Sequence, residues 1–197
     1  MFIAFEGPDE TGKSSSAATL DSAGLPTYNA NVDNYAHAKQ VIQDQGDLVA
    51  AFDRIDWMTH MVYRLSMPGF EWNDARVRTV FPMPDTHLVF KVHAEDHVGH
   101  IEAVNEGYSE GALSKVNSMY CMYALQLMQL NAARDFELFK TVSVVEVYND
   151  PTEPSFSQAL VAYSSPVSDL TILEDGPLPM DDHELLQLLQ DEDQNRL

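Results

Sequence analysis

The segment from Gly7 to Ser14 carries the pattern with the clearest chemistry. It reads Gly-Pro-Asp-Glu-Thr-Gly-Lys-Ser and matches the phosphate-binding pattern G-x-x-x-x-G-K-[ST] at every fixed position. In such a loop the backbone N–H groups and the lysine bind phosphate oxygens, and the hydroxyl of the last residue can ligate Mg²⁺. We therefore predict a nucleoside-triphosphate site that can include Mg²⁺. The predicted nucleotide-binding residues are Gly7, Asp9, Glu10, Thr11, Gly12, Lys13, Ser14 and Ser15.

Asp53 and Arg54 form a second candidate group. They follow the apolar run Leu48–Phe52, which predicts a buried strand. Ligands gather at the carboxyl ends of parallel strands, so we expect both side chains to reach the cleft of the phosphate loop. The carboxylate of Asp53 can hold a metal-bound water or act as a base, and Arg54 can pair with an acceptor phosphate or stabilise developing charge. The alternative is an ion pair that only caps the strand.

Three histidines, His93, His97 and His100, lie close together in the sequence. The four-residue spacing of His93 and His97 is compatible with a metal site on one helix face. Solvated loop histidines are the ordinary alternative in an acidic protein, and the sequence favours that alternative.

Short apolar runs alternate with helical patterns along the chain, which predicts an α/β domain with a mainly parallel sheet flanked by helices. We place this domain at residues 1–176 and an acidic tail with a leucine-rich helix at residues 177–197. The predicted strands are Phe2–Glu6, Leu25–Tyr28, Leu48–Phe52, His87–Val92, Thr141–Val147 and an edge strand at Leu170–Leu173. The predicted helices are Lys13–Leu20, Asn34–Asp44, Asp56–Leu65, Gly111–Phe139 and Asp181–Gln190.

The composition limits the classes of partner. Among 197 residues, 31 Asp and Glu stand against 11 Lys and Arg, giving a net charge of −20. Such a surface repels phosphate backbones, so we expect no general nucleic-acid binding. The N-terminus lacks a basic region followed by an apolar stretch, and no apolar run reaches the roughly 18 residues that span a membrane. We therefore expect a soluble cytoplasmic protein without a membrane partner.

Three segments together resemble the thymidylate kinases, especially the short kinases of bacteriophage genomes. The stretch from Phe2 to Ser14 resembles their opening, and Phe52–Tyr63 resembles a second motif, in which an Asp-Arg-aromatic strand end leads into a helix with a later Tyr. Pro84-Asp85, followed by Leu88-Val-Phe, resembles the strand that precedes their lid. The resemblance covers about the first 92 residues, and the remainder matches only in outline.

The resemblance implies a P-loop nucleoside monophosphate kinase fold with a five-stranded parallel sheet and a short lid at about residues 93–114. It implies transfer of the γ-phosphoryl group of ATP, with Mg²⁺, to a pyrimidine deoxynucleotide such as dTMP or a modified dUMP. A phage-encoded protein would work in the host cytoplasm. The leucines of the tail helix would dock on their own domain or on a second copy in a homodimer.

The resemblance also implies roles for individual residues. Asp9 would contact the sugar hydroxyl of the acceptor, and Arg54 would hold its phosphate. An aromatic ring, from Trp57, Phe70 or Trp72, would stack on the base. The resulting catalytic set is Lys13, Asp53, Arg54 and Asp9; the acceptor-binding set is Asp9, Arg54, Trp57, Tyr63, Phe70 and Arg76; the metal set is Ser14 and Asp53.

The sequence departs from the family in two respects. Glu10 occupies the P-loop position that can carry a catalytic arginine, and the lid region from Val92 to Ser114 contains no Lys or Arg. The candidate substitutes are Lys115, Arg76, Arg78 and Arg134. Two alternatives therefore stay open: a kinase of a deoxynucleoside or of a hydroxymethylated pyrimidine in DNA, and a degenerate nucleotide-binding protein that acts through protein contacts.

Overall fold

A computed structural model gives the architecture of most of the chain. It describes residues 1–30, 32–45, 50–67, 69, 71, 82–104, 109, 111–133, 138–149, 157–164, 171–172 and 177–194. The strands are β1 (Phe2–Glu6), β2 (Thr27–Ala30), β3 (Ala50–Ile55), β4 (Met83–His93), β5 (Phe139–Tyr148), β6 (Ser157–Ser164), β7 (Thr171–Ile172) and β8 (Leu178–Pro179). The helices are α1 (Lys13–Ser22), α2 (Val32–Gln45), α3 (Asp56–Ser66), α4 (Glu95–Val104), α5 (Ala112–Ala132) and α6 (Asp182–Gln194).

The strands form one mostly parallel sheet in the order β2-β3-β1-β4-β5-β6-β7, with β8 paired to β6. The pairs from β2 to β5 are parallel, which confirms the predicted α/β class. The expected strand number of five describes only this parallel part, because β6, β7 and β8 extend the described sheet in antiparallel pairs. Sequence reasoning missed β6 and β8. A two-residue strand containing proline leaves no readable pattern, and β6 is defined by its pairing with β5.

The central strands are apolar because helices cover both faces of the sheet. All five residues of β1 are buried, and its side chains alternate between two cores. Phe2 and Ala4 join the larger core with residues of α3 and α5, whereas Ile3 and Phe5 join a second core with residues of α1 and α6. The carboxyl end of β1 is thereby held between the two layers.

The tail helix α6 packs on its own domain. Leu185 and Leu189 are buried in the second core, beside Ala17 and Leu20 of α1. Asp181 caps the helix: its carboxylate accepts the backbone N–H groups of His183 and Glu184 at 2.8 Å, and the side chain of Glu184 accepts the N–H of Asp181 at 2.8 Å. We expected these leucines to dock either on their own domain or on a second copy. In the described residues they dock on their own domain.

The long helix ends earlier than predicted. We expected it to reach Phe139, but α5 ends at Ala132 and Phe139 begins β5. Asn131 makes the difference, because its side-chain amide donates to the carbonyl of Phe139 at 2.9 Å and accepts the N–H of Phe139 at 3.4 Å. In the predicted lid, the described residues 95–104 form α4. No helix within the described ranges is both long and apolar enough to cross a membrane.

The docking of α6 makes a stability prediction. Leu189 is fully buried, so Leu189→Ala should lower the free energy of unfolding by about 2–5 kcal/mol through lost burial and a cavity. Leu130→Ala removes the same atoms from a side chain that is 50% exposed and should cost about 1 kcal/mol or less. Urea unfolding measures both, and equal effects would contradict a core role for α6.

Candidate functional site

The phosphate loop begins in close contact with β4. Gly7 has a φ of 147°, and a Cβ atom placed on it would lie 1.9 Å from the carbonyl oxygen of Lys91. No other residue fits this position without moving the backbone of β4. Gly12, with a φ of 71°, then turns the chain into the N-terminus of α1.

The side chain of Lys13, the first residue of α1, folds back into this loop. Its ammonium donates to the carbonyl of Pro8 and, at 3.1 Å, to the hydroxyl of Thr11. The Thr11 hydroxyl in turn donates to the Pro8 carbonyl at 2.9 Å. Burial and the nearby charge of Arg54 lower the pKa of Lys13 to about 8. A buried ammonium whose hydrogen-bond acceptors are neutral gains most from an anion, and a phosphate on the loop supplies one.

Ser14 and Asp53 form an oxygen pair next to the loop. The Ser14 hydroxyl donates to Oδ2 of Asp53 at 2.8 Å, and Oδ1 of Asp53 is buried without a hydrogen-bond partner among the described residues. A hydroxyl and a carboxylate with a free oxygen are hard ligands that fit Mg²⁺. The described residues contain no group of three or more His, Cys, Asp or Glu side chains arranged for a metal, so the histidine metal site finds no support. Mg²⁺ sites complete their ligand shell with water and substrate phosphates instead.

Arg54 lies across the mouth of the loop. Its guanidinium pairs with the carboxylate of Asp9, donates to the carbonyl of Gly7 at 3.4 Å and lies 5.9 Å from the centre of the Tyr63 ring. Burial would lower the pKa of Arg54, but the neighbouring negative groups, of which Glu6 contributes most, together outweigh burial, so the pKa is raised. The structure therefore brings together three predicted acceptor-site residues: Asp9, Arg54 and Tyr63.

Backbone strain marks the same place. Within the described chain, the residues other than glycine with positive φ are Glu10, at 63°, and Arg54, at 71°. Such conformations are costly and persist where the surroundings enforce them, which is common at binding sites.

Glu6, which the sequence analysis missed, anchors the site from below. Its fully buried carboxylate accepts the N–H of Ile55, the Thr59 hydroxyl at 2.9 Å, the Tyr120 hydroxyl at 3.0 Å and the N–H of Gly7 at 3.3 Å. Burial raises the pKa of Glu6 in spite of these bonds and the charge of Arg54. One side chain thus ties the start of the phosphate loop to the end of β3, to α3 and to α5. The signal in the sequence was a charged residue closing an apolar strand.

His93 supports the loop from the end of β4. Its Nε2 lies 2.9 Å from the carbonyl oxygen of Asp9, so the neutral ring donates Nε2–H to the loop. The side chain of Asn117 fixes the His93 backbone with two hydrogen bonds, at 2.9 and 3.0 Å. Burial lowers the pKa of His93 to about 4, and the neighbouring His97 ring is 5.1 Å away. The histidine of this cluster that touches the loop therefore acts as a neutral donor.

The remaining predicted residues fall into two groups. Trp57 is 3% exposed and packs in the larger core. Glu10, Ser14, Ser15 and Lys115 are exposed. Phe70, Trp72, Arg76, Arg78 and Arg134 lie outside the described residues.

These elements define an α/β P-loop protein. A glycine-rich loop joins a central parallel strand to a helix, with its lysine inside the loop and its serine bonded to the carboxylate at the end of the neighbouring strand.

Comparison with known proteins adds similar solved structures. No family model and no curated protein matches the chain. YorR from Bacillus subtilis, in complex with phosphorylated GDP, is similar with a TM-score of 0.41 and 18% identity, over 64% of this chain and 80% of that one. A deoxyadenosine kinase from M. mycoides, with dCMP and a flexible dCDP bound, is similar with a TM-score of 0.42 and 15% identity, over 71% of this chain and 88% of that one.

The depressed pKa of His93 predicts a pH dependence of stability. Above pH 6.5 the ring is neutral in both states, whereas between pH 6.5 and about 4 the unfolded chain binds a proton that the folded protein does not. Stability should therefore fall as the pH falls through this window, by up to about 3 kcal/mol from this residue. His93→Gln keeps an amide donor and cannot titrate, so its stability should fall less.

Urea unfolding at pH values from 4.5 to 7.5 tests this difference. His183→Gln, at an exposed position of α6, serves as the control and should follow the wild type. Equal pH slopes for His93→Gln and the wild type would refute the assignment.

Proposed function

We propose that the protein is a thymidylate-kinase-like nucleotide kinase that transfers the γ-phosphoryl group of ATP to a pyrimidine deoxynucleotide. One observation carries the proposal: the phosphate loop holds Lys13 on one side, and a second cation, Arg54, lies across its mouth from the adjacent strand. One cation for the donor phosphates and one for an acceptor phosphate is what transfer between two nucleotides needs.

On the donor side, the loop N–H groups and Lys13 would bind the phosphates of ATP. Ser14 and Asp53 would hold Mg²⁺, which neutralises charge on the β- and γ-phosphate oxygens when it is bound. Phosphoryl transfer depends mainly on positioning and on such charge neutralisation.

On the acceptor side, Arg54 can exchange partners. Its planar guanidinium pairs with one carboxylate oxygen of Asp9, and an acceptor phosphate can form two parallel hydrogen bonds with it. Asp9 would then accept a hydrogen bond from the acceptor sugar hydroxyl. The ring of Tyr63 supports the guanidinium in this position.

The reaction then forms one bond and breaks another. An acceptor phosphate oxygen attacks the γ-phosphorus, the bond from that phosphorus to the β,γ-bridging oxygen breaks, and ADP leaves with the electron pair. The ammonium of Lys13 stabilises charge on the transferred group and on the leaving oxygen. Because the lid region from Val92 to Ser114 has no Lys or Arg, we expect kcat at the lower end of the roughly 1–100 s⁻¹ known for kinases.

We also propose a domain range and a phage-type origin for the protein. We treat residues 1–176 as the kinase domain and assign the protein to the phage type, working in the host cytoplasm. The first alternative keeps the same phosphoryl-transfer chemistry and changes the acceptor. In it, the acceptor is a deoxynucleoside or a hydroxymethylated pyrimidine in DNA. The cation-free lid favours a second candidate function, nucleotide binding without catalysis.

Turnover assays with loop variants test the proposal. ADP release from Mg·ATP is measured separately with dTMP, dUMP, thymidine, hydroxymethyl-dUMP and hydroxymethyluracil-containing DNA. Lys13→Ala should lower kcat/KM about 10²–10³-fold, because it removes charge from the transferred group. Arg54→Met should raise the KM of the acceptor about tenfold or more and leave the KM of ATP nearly unchanged.

Lys39→Ala is the control, since Lys39 forms a surface pair with Asp85 at 2.9 Å and should not affect turnover. Lys13-dependent turnover with one acceptor would identify the substrate. ATP binding without turnover on any acceptor would refute the kinase and favour the non-catalytic candidate.

A further inference from the structure

A second buried lysine lies beside the phosphate loop. Lys91 is a charged residue that directly follows the apolar run Leu88–Phe90 inside strand β4, and it is 4% exposed. Its ammonium donates to the hydroxyl of Ser16 at 2.6 Å and lies 3.8 Å from the point where a Cβ on Gly12 would be. The cation therefore lies against the last turn of the loop and the first turn of α1, on the opposite side of β1 from Arg54.

The bonds of Lys91 leave donors for a ligand. An ammonium has three N–H donors, and the Ser16 hydroxyl accepts one of them. Oδ1 of Asp182 is 3.8 Å from the ammonium, which is too long for a hydrogen bond. Burial lowers the pKa of Lys91, and the charge of Asp182 opposes that shift. A buried cation with spare donors gains free energy from a second acceptor.

Asp182, at the start of α6, fixes the geometry. Its Oδ1 accepts hydrogen bonds from the Ser16 hydroxyl and from the side-chain amide of Gln158, both at 2.9 Å. The hydroxyl of Ser16 thus accepts a hydrogen bond from Lys91 and donates one to Asp182. The aspartate orients the acceptor of the lysine without forming a hydrogen bond to the ammonium itself.

A cavity of about 800 Å³ joins these groups to the loop. It opens between the start of α1, the adjoining ends of β5 and β6, and the start of α6. Its walls include Thr11, Gly12, Ser15, Lys91, Gln158 and Asp182. A ligand that occupies the loop and extends into this cavity passes the ammonium of Lys91.

We propose that Lys91 is a second phosphate-binding lysine for the donor nucleotide, and that Asp182 of the C-terminal helix positions it through Ser16. The inference rests on the proposed function, because it requires a nucleoside di- or triphosphate on the loop. Lys91 contacts non-transferred phosphate oxygens on the cavity side and supplies positive charge that the lid lacks. Asp182 is a positioning residue.

The rival explanation is a purely structural ion pair that holds α6. The chain offers a matched control for it, because the other end of α6 is held by Asp193, which pairs with Lys140. If a paired lysine served only to dock the helix, loss of Lys91 and loss of Lys140 would have similar effects.

Calorimetric binding of Mg·ADP and of inorganic tripolyphosphate to the full chain separates the two explanations. Lys91→Met should weaken both ligands about tenfold or more, whereas Lys140→Met should leave both affinities at the wild-type value. Asp182→Asn keeps an oxygen acceptor for Ser16 and removes the competing charge, so its affinities should equal or exceed those of the wild type. The double variant Lys91→Met/Asp182→Asn should stay as weak as Lys91→Met. If the double variant bound both ligands with wild-type affinity, the inference would be overturned. That result would show that Lys91→Met weakened binding only because it left the charge of Asp182 uncompensated.

The outcomes also separate this inference from the proposed function. If the wild type binds neither ligand, or if Lys13→Ala binds them equally well, the proposed function fails and the inference fails with it. If the wild type binds in a Lys13-dependent way and Lys91→Met binds equally tightly, only the inference on Lys91 is overturned. If the melting curve shows that Lys91→Met does not fold, two other variants replace it. The affinity of Lys91→Arg for both ligands should then lie within about threefold of the wild type, and that of Lys91→Gln should not. The reverse result would refute the inference.

Discussion

The buried carboxylate of Glu6 is the interaction on which the site depends. A carboxylate in the interior is tolerated only when its oxygens accept several hydrogen bonds, and Glu6 accepts them from Gly7, Ile55, Thr59 and Tyr120. These donors belong to the phosphate loop, to the end of β3, to α3 and to α5. Satisfying one side chain therefore sets the relative position of four parts of the chain, and Arg54 adopts its strained backbone conformation directly before one of the donors.

The candidate site is rich in positive charge, although the molecule as a whole is strongly negative. The chain has a net charge of −20, yet Lys13, Arg54 and Lys91 all lie around the start of α1. Burial makes these cations effective, since screening by water is weakest there. Each is matched with hydroxyls, carbonyls or a single displaceable carboxylate. An acidic protein can thus attract an anion at short range while its surface repels longer polyanions.

A structural feature could be predicted when it depends on neighbouring residues in the sequence, and not when it depends on contacts between distant parts of the chain. The phosphate loop and the parallel strands were predictable because spacing, glycine positions and apolar runs are local properties of the sequence. The end of α5 was not, since it depends on Asn131 bonding to Phe139, and β6 and β8 exist through pairing with distant strands. For the candidate site, residue types indicated Lys13, Ser14, Asp53 and Arg54, whose hydrogen bonds the structure then supplied. The supporting roles of Glu6, Lys91 and His93 required knowing which strand ends meet.

The docking of α6 has a consequence for how the molecule is made. Helix α1 ends at Ser22 and its packing partner α6 begins at Asp182, 160 residues later. A ribosome therefore exposes the phosphate loop early and delivers the leucines that cover α1 near the end of this sequence. During that interval Ala17 and Leu20 lack the cover of Leu185 and Leu189, and Ser16 lacks the carboxylate of Asp182. A chain interrupted before α6 would carry the whole phosphate-binding motif and still be incompletely folded, which gives cellular quality control an exposed apolar surface to recognise.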